Sequence, residues 1–149
     1  MGERTGQQQL AAGLVRLGFL VQREYGEVSR QHDLTPQQAQ LVCVLLGGPI
    51  GMAELGGALH LEKSSLTGLV DRAERRGLVS RVRDARDRRA YRVALTQQGV
   101  ELAACFHEHV SRRMAALAVD LCATDQAGLT AAINQILIGH GVAELFTDD

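Results

Sequence analysis

Leu10, Leu14, Leu17, Leu20 and Val21 recur at three- and four-residue steps, with Val15 and Phe19 beside them. That spacing predicts an amphipathic helix over roughly residues 7–31. Asp33-Leu34-Thr35-Pro36 is a second start signal, because Thr35 suits a cap and Pro36 suits a first helical turn. The helix it opens carries Ala39, Val42, Cys43 and Leu46, and Gly47-Gly48-Pro49 stops it. The glycine-dense stretch Gly47-Gly48-Pro49-Ile50-Gly51 follows a helix and reads as a turn. A short helix is predicted over roughly 51–58, with Met52 and Leu55 apolar and Leu59 just beyond. The next spans roughly 62–76, turns Leu66, Leu69, Val70 and Ala73 inward, and ends at Gly77.

The period then changes. Residues 78–83 and 90–95 read as two short strands; the second alternates, with Tyr91, Val93 and Leu95 on one face. The arm between them, Asp84 to Arg89, is too polar for a core. Thr96 is the expected cap of a long helix over roughly 96–121, and Thr124-Asp125 the expected start of another over roughly 125–146. The chain is thus expected to be mainly α with a two-stranded β-wing. Leu102, Phe106, Val110, Met114, Leu117 and Leu121 line one of these helices. Leu129, Ile133, Ile136, Leu137, Val142, Leu145 and Phe146 line the other. The small central unit lacks the surface to cover those faces, so they are expected to be buried between two copies of the chain. Residues 1–34 are then a first dimerisation helix and lead-in, 35–99 a winged helix-turn-helix lobe, and 100–149 C-terminal dimerisation helices.

Charge sharpens the middle of that picture. Nine arginines fall between Asp71 and Arg92, against four acids, Asp71, Glu74, Asp84 and Asp87. A helix beside an arginine-tipped hairpin suits entry into a major groove with a reach into the adjacent minor groove. The net charge of −1 disfavours a generally polybasic nucleic-acid binder, leaving a local basic surface. Three cysteines without CxxC spacing do not resemble a disulfide framework and suit a reducing cytoplasm. The start MGERTGQQQ lacks the pattern of a signal peptide, and no apolar run is long enough to span a membrane.

Four blocks now stand in register: Leu69-Val70-Asp71-Arg72; Glu74 with Gly77-Leu78-Val79 and Arg81; Asp84 with Asp87-Arg88-Arg89; and Leu95-Thr96 with Gly99. Together with the flanking helices, they resemble the DNA-binding core of MarR-family (multiple antibiotic resistance regulator) transcription factors. The resemblance covers nearly the whole chain. It implies a dimeric winged helix-turn-helix with N- and C-terminal dimerisation helices and a pseudo-palindromic double-stranded DNA operator. It further implies repression relieved by a small-molecule effector. Carried over by position, Ser64, Ser65, Thr67 and Gly68 face bases and phosphates, with Lys63 near the backbone. Arg86, Arg88 and Arg89 belong to the wing, and Arg86 and Arg88 are the candidates for its minor-groove tip. Asp84 and Asp87 are expected to brace that loop by pairing with arginines, with Arg72 and Arg76 joining them. Glu62 and Gly68 depart from the family pattern, which often has a serine-like cap at the first position and a longer polar side chain at the second.

Phe19, Tyr25 and Cys43 are candidate ligand-pocket residues, core packing being the alternative for each. Glu101, Cys105 and His109 share one helical face at metal-ligand spacing, although chance spacing on a long helix explains them as well. No metal site or cofactor is expected. His32 and His60 are read as isolated. The absence of GxxxxGK[ST], GxSxG and HExxH leaves no support for an enzyme. A zinc- or thiol-responsive regulator of the same fold, or a winged-helix protein-interaction module without DNA binding, stand as alternatives.

Overall fold

The computed structural model describes residues 2–142. Six helices and a small sheet follow in the order α1 (Gly2–Gln31), α2 (Pro36–Val44), β1 (Ile50–Gly51), α3 (Met52–Leu59), α4 (Lys63–Arg75), β2 (Val79–Arg83), β3 (Tyr91–Leu95), α5 (Gln97–Ala116) and α6 (Ala123–Gly139). Local chemistry sets several boundaries. Thr35 Oγ1 accepts from the Gln38 N–H at 3.2 Å, while the Gln38 side chain accepts from the Thr35 N–H at 3.1 Å. This reciprocal capping box opens α2 at Pro36 as its sequence predicts. At the end of α4, Gly77 adopts φ 73°. Its N–H reaches Glu74 O at 2.9 Å and the Leu78 N–H reaches Ala73 O at 3.0 Å, the paired bonds of a Schellman stop.

One core runs through the molecule. Leu66, Leu69, Val70 and Ala73 of α4 are buried with Val28 of α1, Leu41 and Val42 of α2, Val79 and Val93 of the sheet, and Phe106 of α5. α5 packs on both α1 and α2. Its first turn lies hard against the sheet: a β-carbon on Gly99 would stand 1.9 Å from the Leu78 carbonyl oxygen. Thr96 completes that joint. Its N–H donates to Leu78 O at 3.0 Å, its hydroxyl donates to Gly77 O at 2.6 Å, and its Oγ1 accepts from the Gly99 N–H at 3.0 Å.

The structure departs from the sequence expectation in four places. The sheet has three strands in the order β1-β3-β2, because Ile50 and Gly51, read as turn, pair antiparallel with Val93 and Arg92. The wing hairpin itself keeps the register Val79↔Leu95 through Arg83↔Tyr91. α5 ends at Ala116, so Leu117 and Leu121 belong to the turns that follow rather than to its face. α6 starts at Ala123 with Cys122 at the cap position, ahead of the expected Thr124-Asp125, and ends at Gly139. Leu145 and Phe146 lie outside the described residues. Leu10, Leu14, Val15, Phe19, Ile133 and Ile136 are exposed, and α6 buries none of its residues within the chain. Among the described residues, no helix is long and apolar enough to cross a membrane.

Candidate nucleic-acid interface

α4 meets the core with one face and turns the opposite face outward. At about 100° per residue, Ser64, Ser65, Gly68 and Arg72 fall in one stripe opposite Leu66, Leu69, Val70 and Ala73. Ser64, Ser65 and Lys63 are exposed. Thr67 Oγ1 donates to Lys63 O at 2.8 Å, which leaves its oxygen free to accept but commits its proton. Glu62 holds the cap position in extended backbone without a side-chain cap hydrogen bond. The helix is held in place by Arg81 of β2, whose guanidinium bonds Asp71 at 2.6 Å and also Glu74. The hydrogen bond that Arg81 donates to Asp71 is the largest influence holding Arg81 above its ordinary pKa.

The wing is pinned by its acids through backbone N–H groups. Asp84 Oδ1 accepts from the Arg86 N–H at 2.7 Å, and Asp87 Oδ1 accepts from the Arg89 N–H at 2.9 Å. Asp84 N–H donates to Ala90 O and Ala90 N–H to Asp87 O, both at 3.0 Å, closing the loop onto itself. The bond from Arg86 N–H, more than any nearby charge, lowers the Asp84 carboxyl below its usual range. The arginine that does pair with Asp84 is Arg92 of β3, at 3.6 Å, and Arg92 also faces Glu54 of α3 at 4.0 Å. Arg83 lies over the Tyr91 ring, 5.8 Å from its centre, and donates to Arg88 O at 3.4 Å. With the acids engaged this way, the side chains of Arg86, Arg88 and Arg89 are exposed and make no hydrogen bond or ion pair among the described residues.

This arrangement of helix and wing is shared with known proteins. A family profile described as MarR family matches residues 32–90. A solved structure of a MarR family protein from Bacillus stearothermophilus superimposes with a TM-score of 0.84 at 26% identity, over 95% of this chain and 99% of that one. The chain is thus similar to the MarR family in sequence over its central lobe and in fold over nearly its whole length. Among MarR-family and related regulators, it is similar to an uncharacterized HTH-type transcriptional regulator, YsmB, of Bacillus subtilis, 32% identical over 58% of this chain and 60% of the relative. The homoprotocatechuate degradative operon repressor of Escherichia coli is 34% identical over 50% of this chain and 51% of its own. The matches thus span between half and two thirds of these two relatives. The transcriptional repressor CouR, solved bound to a 23-mer DNA duplex, superimposes with a TM-score of 0.73 at 25% identity, over 85% of this chain and 91% of that one.

Several residues singled out in the sequence sit apart from the interface or from one another. Arg76 is not a wing brace: its Nη1 donates to Asp33 O at 2.6 Å and to Gln38 Oε1 at 3.0 Å, tying the end of α4 to the α1–α2 turn. Arg72 does not reach the wing acids either; its guanidinium lies beside Gly68. Phe19 is 66% exposed. Tyr25 and Cys43 are packed inward, Tyr25 edge-on to Phe106 with ring centres 5.3 Å apart. Burial pushes the Tyr25 hydroxyl well above its ordinary pKa and the Cys43 thiol up to about 11. Glu101 accepts from the Gln97 amide at 3.0 Å, while His109 Nδ1 meets His32 Nε2 at 3.1 Å. His32 is therefore not isolated: it also stands edge-on to Phe106 and joins the end of α1 to α5. No group of three or more His, Cys, Asp or Glu side chains among the described residues is arranged to hold a metal.

Proposed function

We propose that this chain is a homodimeric, sequence-specific DNA-binding transcriptional regulator, acting in the cytoplasm as a repressor. Each copy places α4 in a major groove and its wing in the flanking minor groove of a pseudo-palindromic operator. The observation that carries this reading is the set of exposed arginines at positions 86, 88 and 89, whose side chains make no hydrogen bond or ion pair among the described residues, on a loop whose own backbone bonds fix its shape. Ser64, Ser65 and Thr67 present short polar groups suited to close approach of the helix to a duplex, with the Lys63 ammonium at the helix start to meet the phosphate backbone. The duplex bound by CouR supports the same use of this fold. The exposed apolar faces of α1 and α6 support a second copy of the chain as partner, residues 35–99 reading DNA and the flanking helices joining the copies. A structural neighbour, NadR, is solved with 4-hydroxyphenylacetate; a small effector binding two states unequally would release this chain from DNA by differential affinity. No catalytic step is assigned.

The test uses genomic fragments selected by the full chain. Arg86→Ala combined with Arg88→Ala is expected to leave the dimer intact, weaken binding to selected duplexes and reduce the salt dependence by about two contacts. Unchanged affinity at every salt concentration sinks the wing assignment. A wild-type dimer that selects no DNA favours an interaction module that recognises protein instead.

A further inference from the structure

Four arginines lie on or beside α4, and the side chains of three are engaged. Arg75 Nε donates to Asp71 O at 3.3 Å, Arg76 bonds Asp33 and Gln38, and Arg81 bonds Asp71 and Glu74. Arg72 is the exception: it is exposed and makes no hydrogen bond or ion pair among the described residues. Its direction follows from helix geometry. A helical side chain leans toward the N-terminus and covers the turn before it, so Arg72 lies back over position 68. Position 68 is glycine, and a β-carbon there would stand 3.2 Å from Arg72 Nη1. The guanidinium thus rests beside a bare stretch of backbone, on the outward stripe that also carries Ser64 and Ser65.

We infer that Arg72 is the long reading side chain of this recognition helix, delivering its guanidinium across Gly68 to a guanine edge in the major groove. The inference rests on the DNA-binding function proposed above. Gly68 has a definite part in it, since a side chain there would crowd the path of the arm. Ser64 and Ser65 are too short to reach with two parallel donors, whereas the arginine fork matches guanine O6 and N7. Arg72 makes no side-chain hydrogen bond or ion pair among the described residues, so its removal changes recognition without changing the fold.

The experiment measures binding of wild type, Arg72→Ala and Arg72→Lys to duplexes selected by wild type and to unrelated duplexes, at several salt concentrations, alongside thermal unfolding. Arg72→Ala is expected to lose about 10- to 100-fold on the selected sequence and far less on unrelated DNA, with an unchanged unfolding midpoint. Repeating the selection with this variant is expected to relax one symmetric position in each half-site. Arg72→Lys keeps the charge but lacks the fork, so it should not restore that preference. Uniform weakening on all duplexes, with a salt slope lower by about one and rescue by lysine, marks a phosphate contact and overturns the inference. Equal binding by Arg72→Ala and wild type on the selected duplex overturns it as well. Failure of wild type to bind any duplex instead removes the underlying function.

Discussion

Arg113 and Glu24 stand 89 positions apart in the chain, and their side chains meet at 2.7 Å. The second carboxylate oxygen of Glu24 takes Arg23 at 3.0 Å. The pair ties α1 to α5, and Glu24 is largely sheltered, its side chain 12% exposed. The bond from Arg113, then that from Arg23, draws the Glu24 pKa below its ordinary 4.5. A carboxyl lowered by folding stabilises the folded state above its unfolded value, and that contribution disappears as pH falls through the folded value. Glu24→Gln is therefore expected to lower the unfolding midpoint at neutral pH, with the gap to wild type closing as the solution is acidified past 4.5. Denaturant titrations across the acid range check this, and a gap that persists at the acid end contradicts the pairing.

Gly99 allows the first turn of α5 to lie against the Leu78 carbonyl. An alanine methyl would stand 1.9 Å from that oxygen, a backbone atom that has no flexible side chain to move aside. Gly99→Ala is expected to cost about 3 kcal/mol, the upper part of the usual overpacking range, despite alanine's better helix propensity. Urea unfolding measures it; a neutral or stabilising result would mean the two segments are not packed this closely.

Thr96 both caps α5 and ties the helix to the Gly77 carbonyl. Thr96→Ala should destabilise by about 1–2 kcal/mol, and Thr96→Ser, which keeps the hydroxyl, by much less. Thr35→Ala removes the capping box of α2 and should cost about 1 kcal/mol. Equal losses for Thr96→Ala and Thr96→Ser would shift the weight from the hydroxyl to the methyl.

Cys43 is buried and its thiol is pushed up to about 11, so it is protonated at physiological pH. Because the thiolate is the nucleophile, alkylating reagents at pH near 8 are expected to spare Cys43 until the protein unfolds. Peptide mapping after labelling reads this directly. Prompt native-state labelling of Cys43 would revive the thiol-responsive alternative.

The periodic parts of this molecule were legible in its residues. The spacing of Leu66, Leu69, Val70 and Ala73 identifies the buried face of α4, and Thr35-Pro36 marks the start of α2, because both signals are local. What escaped was long-range or very short. β1 is two residues with no period to read, and exists through pairing with β3. His32 meets His109 across 77 positions, and Arg76 reaches Asp33 across 43, so helix packing decides both. The wing arginines were visible as a cluster. That the loop acids hold backbone N–H groups, while Arg92 and Arg83 brace from the strands, depended on the turn geometry. Alternation along β3 carried a hint, since Tyr91 and Arg92 necessarily point to opposite faces.

The joint at Gly99 has a mechanical meaning. With Leu78, Thr96 and the first turn of α5 locked together by contact and by backbone hydrogen bonds, the base of the wing has no hinge of its own. Any tilt of α5 is inherited by the arginine loop as by an arm fixed to a shaft. Motion at the far end of that helix is converted into displacement of the loop rather than dissipated in a flexible link.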